Sequence, residues 1–178
     1  MYRPSLEFDR TPEERRDPFK SWARDDQAFF AAGACHILAD LFLQLHQGEG
    51  YKMIYIKPTA GFTGNHVYVS DGEWAFDHNG WTREVELLRF TEETYKKHYP
   101  GWGYGRIEIE HTMTSLEEFC EVNNHRLPWQ YAYFPWERAY TYINQFESAP
   151  PGASKWYNTM SNSYQIQPIT CTAHRQHI

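Results

Sequence analysis

A thiol, an imidazole and a carboxylate are the side chains with which a protein attacks an amide. The thiolate adds to the carbonyl carbon, the imidazole carries protons, and the carboxylate orients the imidazole and favours its charged form. The 178-residue chain contains three cysteines, Cys35, Cys120 and Cys171, and nine histidines. Cys35 lies in "GACHILA", residues 33–39, behind two small residues at the head of an apolar run. Small neighbours let a substrate backbone come close, and the first-turn N–H groups and dipole of a helix favour a thiolate. An ordinary cysteine titrates near about 8.5 and needs such help. The alternative is a buried core thiol inside one continuous helix, "QAFFAAGACHILA", in which Gly33 is tolerated. His36 is expected to pack beside Cys35 rather than serve as its base, because adjacent helix residues point about 100° apart.

An imidazole and a carboxylate occur together in "GNHVYVSDGEWAFDHNGW", residues 64–81. The alternation predicts a hairpin, and a two-residue turn at Asp71-Gly72 would pair 69 with 74, 67 with 76 and His66 with Asp77. Val67, Val69, Trp74 and Phe76 then share one face, an apolar surface for a helix to cover, and His66, Tyr68, Ala75 and Asp77 share the other. Directly opposed side chains are close enough for a carboxylate to accept a hydrogen bond from an imidazole. The competing reading is a solvated cross-strand pair that contributes only to the hairpin.

Several elements must position these residues. Residues 1–24 mix Pro, Arg, Glu and Asp without a period and are expected to be an extended N-terminal arm that carries no chemistry. Residues 25–45 place Ile37, Leu38, Leu41, Phe42 and Leu45 at helical spacing, a buried helix ended by Gly48 and Gly50. "YKMIYIKP" reads as a strand closed by Pro58. "TREVELLRFTEETYKKHYPG" is expected to hold one short helix capped at Thr91, followed by a strand at "GRIEIEHTM". Helices are expected to start at Thr114 or Ser115 and near Pro135. Residues 147–178 are rich in Ser, Pro, Asn and Thr and read as an irregular tail. Helix, antiparallel strands and further helices in this order predict one α+β domain over residues 25–146, with a helix packed on a sheet.

Gly33-Ala34-Cys35-His36-Ile37-Leu38-Ala39 resembles the active-site helix start of papain-like cysteine proteases. The order Cys, then His on a strand, then an acid on the next strand in "HVYVSDGEWAFD" resembles the transglutaminase-like branch of that superfamily, including bacterial transglutaminase-like cysteine proteinases. The resemblance covers residues 25–82. It implies a papain-like or transglutaminase-like core with Cys35 as nucleophile, His66 as general base and acid, and Asp77 as the residue orienting His66. Gln27 would be an oxyanion donor together with the Cys35 backbone N–H. Peptide cleavage, glutamine deamidation and transamidation share these steps, each with a protein or peptide substrate and no cofactor.

Other function classes find less support. The net charge of −6 and the lack of a strong basic run argue against nucleic acid as a partner. The three cysteines form no CxxC pair, and the histidines form no HExxH, so no metal ligand set is assigned; "HRQHI", residues 174–178, is the weak exception. "YPGWGYG" lacks the lysine and following helix of a phosphate-binding loop. A charged N-terminal segment and the absence of a long apolar run predict no signal peptide and no membrane span, hence a cytoplasmic protein or one exported without a signal. Seven Trp, 13 Tyr and 11 Phe exceed what a core alone requires. The stretch "LPWQYAYFPWERAYTY", residues 127–142, therefore supports an alternative function, a non-enzymatic peptide- or carbohydrate-binding domain.

Overall fold

The computed structural model describes residues 1–110 and 113–152, with the side chains of 113–115 left aside. Among these residues it is an α+β arrangement of seven α-helices and a five-stranded antiparallel sheet, in the order β4-β3-β2-β1-β5. The strands are β1 (Lys52–Pro58), β2 (His66–Ser70), β3 (Trp74–Asp77), β4 (Gly80–Arg83) and β5 (Tyr104–Ile109).

The apolar run expected as a single helix over residues 25–45 is two helices, α3 (Asp26–Ala31) and α4 (Cys35–Leu45). The Asp25 carboxylate accepts the Ala28 N–H at 2.8 Å and starts α3. Gly33, at φ +136°, breaks the run, and Cys35 becomes the first residue of α4. Ile37, Leu38 and Phe42 of α4 are buried against Met53, Tyr55, Val67, Val69 and Phe76 of the sheet. Phe42 stacks on Phe76 with ring centroids 4.6 Å apart. Helix α7 (Pro135–Ile143) closes this side with Ala139, Tyr142 and Ile143.

The opposite face of the sheet, expected to be polar, is a second core. Ile54, Ile56, Tyr68 and Ala75 pack there against Leu87 and Tyr95 of α5 (Glu84–His98), Trp102 and Tyr2. Every residue of β2 is buried as a result, including His66 and Ser70. Helix α5 is one element of 15 residues, and Thr91 is buried within it rather than capping a shorter helix. Its chain crosses this face and returns as β5 beside β1.

The hairpin register differs from the expected one by two residues. Val69 pairs with Phe76 and Ser70 with Ala75, so the loop centre is Gly72-Glu73. The Asp71 side chain accepts the N–H groups of Glu73 and Trp74, each at 2.8 Å, and so acts ahead of the turn rather than inside it. An even shift keeps every side chain on its expected face. Carried one step further, this register sets Asp77 across from Tyr68 and one diagonal step from His66. A second turn at His78-Asn79, not anticipated from the sequence, returns the chain as β4, with Asp77 paired to Gly80.

Residues 1–24, expected to be extended, form a 3-10 turn at Ser5–Phe8, α1 (Pro12–Arg16) and α2 (Pro18–Trp22). Thr11 and Glu14 make a reciprocal capping box on α1, and Asp17 caps α2. Helix α6 is Met113–Val122. The expected tail is described only as far as residue 152, so Cys171, His174 and His177 lie outside the described residues. Among the described residues no helix is long and apolar enough to cross a membrane.

Candidate active site

Cys35 opens α4 with its thiol buried but lining a cleft of about 660 Å³. Three imidazoles bear on the sulfur. They belong to His66 at the start of β2, His36 beside Cys35 on α4, and His125 in the loop after α6. Burial alone would push the Cys35 thiol up, but the nearby imidazoles of His125, His36 and His66, with the charge of His66, hold it well below its ordinary value. Burial likewise opposes the charged form of His66, yet the Asp77 hydrogen bond and the Cys35 thiolate raise it to about 9. At neutral pH this favours a Cys35 thiolate beside a His66 imidazolium.

Asp77 sets the orientation of His66. Its Oδ2 accepts His66 Nε2–H at 3.0 Å and Tyr2 O–H at 2.8 Å, and its Oδ1 accepts the Asn79 backbone N–H at 2.8 Å. Burial would raise the carboxyl, but the charge of His78, whose Nδ1 lies 3.2 Å from Oδ2, and the hydrogen bond from His66 outweigh it and keep Asp77 ionised far below the usual range. With Nε2 committed to Asp77, the other ring nitrogen of His66 is left for the thiol. Nδ1 makes no hydrogen bond of ordinary geometry, yet sulfur and ring are close enough for each to shift the other's titration. The three residues singled out in the sequence, Cys35, His66 and Asp77, are thus brought together, although by a diagonal contact rather than direct opposition.

Gln27 is not brought to this group. It lies on α3, where its Oε1 accepts from Arg3 Nη1 at 3.4 Å, and it does not line the Cys35 cleft. The break at Gly33 separates α3 from α4, so sequence proximity to Cys35 does not become spatial proximity. The donors present at the sulfur are the unpaired N–H groups of the first turn of α4, whose first intrahelical bond is Leu38 N–H to Ala34 O at 3.1 Å.

Three site residues went unrecognised in the sequence, Tyr2, His78 and His125. Tyr2 lies in the segment expected to carry no chemistry. His125 is delivered by the end of α6, where Asn124 takes the left-handed conformation at φ +54° and His125 N–H bonds Cys120 O at 2.8 Å. This is the six-to-one bond of a Schellman cap, and "NNH" directly after a helical run was its available signal. Cys120 is buried and pushed up to about 12, chiefly by burial, which makes it inert beside Cys35.

Among the described residues, metal-binding potential is confined to the same groups. Cys35, His36 and His125 each offer a donor atom within 4.8 Å of the others, and so do His66, Asp77 and His78. His36 Nε2 bonds Arg126 O at 2.9 Å and His125 Nδ1 bonds Asn123 O at 3.2 Å, which leaves one nitrogen of each ring for the sulfur or an ion. An ion there would take the Cys35 thiolate as a ligand. In comparisons with known proteins, no family model, no curated protein and no solved structure matches this chain.

Proposed function

We propose that the protein is a cysteine-dependent amide hydrolase or acyltransferase built on a papain-like or transglutaminase-like core. The observation that carries this reading is the buried relay in which Asp77 holds His66 Nε2 and His66 bears on the sulfur at the head of α4. A thiol-bearing helix start packed on an antiparallel sheet, with the histidine and acid on successive strands, supports the core assignment.

The chemistry follows from the charge states. Cys35 thiolate adds to the amide carbonyl carbon, forming a C–S bond, and the oxyanion is met by the free N–H groups of α4. The His66 imidazolium gives its proton to the leaving nitrogen as the C–N bond breaks, which leaves a thioester and a neutral imidazole. Water or an amine then adds to the thioester. His66 takes its proton, and Cys35 leaves as thiolate. Water as acceptor gives peptidase or deamidase activity, and an amine gives transamidation. The competing non-enzymatic reading draws on Trp129, Tyr133 and Phe134, all exposed beside α7.

Alkylation separates the two readings. Iodoacetamide near pH 6, mapped by mass spectrometry and in the presence of a chelator, is expected to modify Cys35 in the folded protein and to spare Cys120. His66→Ala is expected to slow it at least about tenfold, the loss of one unit of thiolate stabilisation. Modification of Cys35 only after unfolding would falsify the thiolate reading. A peptide library read by mass then distinguishes new termini from side-chain deamidation.

A further inference from the structure

The charge of the Cys35 cleft is opposite to that of the chain. Against a net charge of −6, its lining carries Arg10, Arg15, Arg16 and Arg126, with Asp9 the one carboxylate beside them. Two of the arginines are already paired, Arg15 with Asp9 and Arg16 with Glu13. Among the described residues, Arg10 and Arg126 have no carboxylate partner. Arg126 uses Nη2 on Arg15 O at 3.2 Å, while its Nη1 is buried without a hydrogen-bond partner. Its guanidinium lies over the Tyr131 ring, whose hydroxyl donates to Gly33 O at 2.6 Å. Arg10 also lies against Gly33, with Nη1 only 3.0 Å from where a Gly33 Cβ would sit.

Two unmatched guanidinium groups thus lie near the residue two positions before Cys35, Arg10 directly against it and Arg126 by way of Tyr131. Holding like charges together is unfavourable: burial and then the charge of Arg126 both lower Arg10. An oxyanion accepting from both would relieve the repulsion and satisfy the orphaned Nη1, since guanidinium N–H groups match carboxylate and phosphate oxygens.

We infer that the substrate is anionic, with a carboxylate or phosphate group seated between Arg10 and Arg126, close in sequence to the amide presented to Cys35. The inference rests on Cys35 being the nucleophile. Gly33 makes room for this pair: with no side chain of its own it lets the Arg10 guanidinium sit against the backbone two residues before the thiolate, where it can hold a charge next to the carbonyl under attack. An acidic residue flanking a scissile peptide bond meets this description, as does a phosphorylated one.

The test compares iodoacetate with iodoacetamide as probes of Cys35, because the two share a reaction and differ in charge. In the unmodified protein the ratio of their rates is expected to favour iodoacetate at low salt. Arg10→Gln and Arg126→Gln are each expected to lower that ratio about fivefold, the effect of one unit charge at contact distance in water. Arg10→Lys is expected to retain most of it. Arg83→Gln, on the hairpin and paired with Glu73, serves as the control. In the unmodified protein at fixed ionic strength, inorganic phosphate or acetate is expected to protect Cys35 from iodoacetate, and the better protector identifies the preferred oxyanion. A ratio unmoved by both Gln variants, with no protection by either anion, overturns the inference while leaving a reactive thiol in place. Failure of Cys35 to react with iodoacetamide would instead defeat the underlying catalytic reading.

Discussion

Asp77 receives hydrogen bonds from a histidine, a tyrosine and a backbone amide while almost wholly removed from water. A buried carboxylate with so many donors stays ionised, and its charge is what His66 requires to stay protonated. Asp77→Asn removes that charge while keeping the shape. His66 is raised in the folded protein, so its protonated form dominates below about 9 and is lost as pH rises through that value. Without the carboxylate it is expected to fall toward the ordinary imidazole value of about 6.5. Because leaving-group protonation uses the imidazolium in the proposed mechanism, the alkaline limb of a pH–turnover profile should move to lower pH in the variant. An unmoved limb would mean that Asp77 does not set the charge of His66. The acid limb belongs to Cys35 and is expected to remain, since His36 and His125 still bear on the sulfur.

At the scale of the element, the end of α6 decides whether His125 reaches the site. Asn124 at φ +54° occupies a conformation that a β-branched residue strongly resists. Asn124→Val is expected to cost about 1–2 kcal/mol of stability in chemical denaturation and to slow Cys35 alkylation near pH 6, whereas Asn124→Gly should preserve both. This cap also illustrates what the sequence could disclose. The periodic burial of Ile37, Leu38 and Phe42 was legible, as were the two faces of the hairpin, because periodicity survives small errors of placement. The break at Gly33 was not, since a glycine can either interrupt a helix or sit within it. The register was missed because Asp71 spends its side chain on the N–H groups of Glu73 and Trp74, a choice that Asp-Gly alone does not reveal. Strand β4 is four residues long and α1 and α2 five each, too short to show a period. Cys35, His66 and Asp77 could be found because spacing limits what a hairpin and a helix start can bring together. Tyr2 and His125 depend on long-range packing, and Gln27 was misplaced by assuming that nearness in sequence persists across a chain break in the helix.

For the molecule as a whole, the N-terminal segment is part of the fold. Tyr2 is buried in the second core and Phe8 is buried edge-on to His78, while Ser5 hydrogen-bonds Tyr95 at 3.1 Å. Deleting residues 1–9 removes two buried aromatic side chains, Tyr2 and Phe8, whose burial is worth about 3–6 kcal/mol together. By calorimetry the expected fall in Tm is on the order of 10 °C. A truncated chain that melts at the parent temperature would show that the segment merely rests on the surface.

The contact between Tyr2 and Asp77 also constrains when the site can exist. Its members stand at positions 2, 35, 66, 77 and 125, on the 3-10-turn segment, a helix, two strands and a capping loop. On a ribosome the tyrosine emerges long before its carboxylate, and the last imidazole follows later still. No contiguous stretch of nascent chain therefore carries the relay, and the thiol remains an ordinary cysteine until nearly the whole domain has emerged and collapsed. As the proposed nucleophile, Cys35 is expected to become reactive only after these segments have packed together.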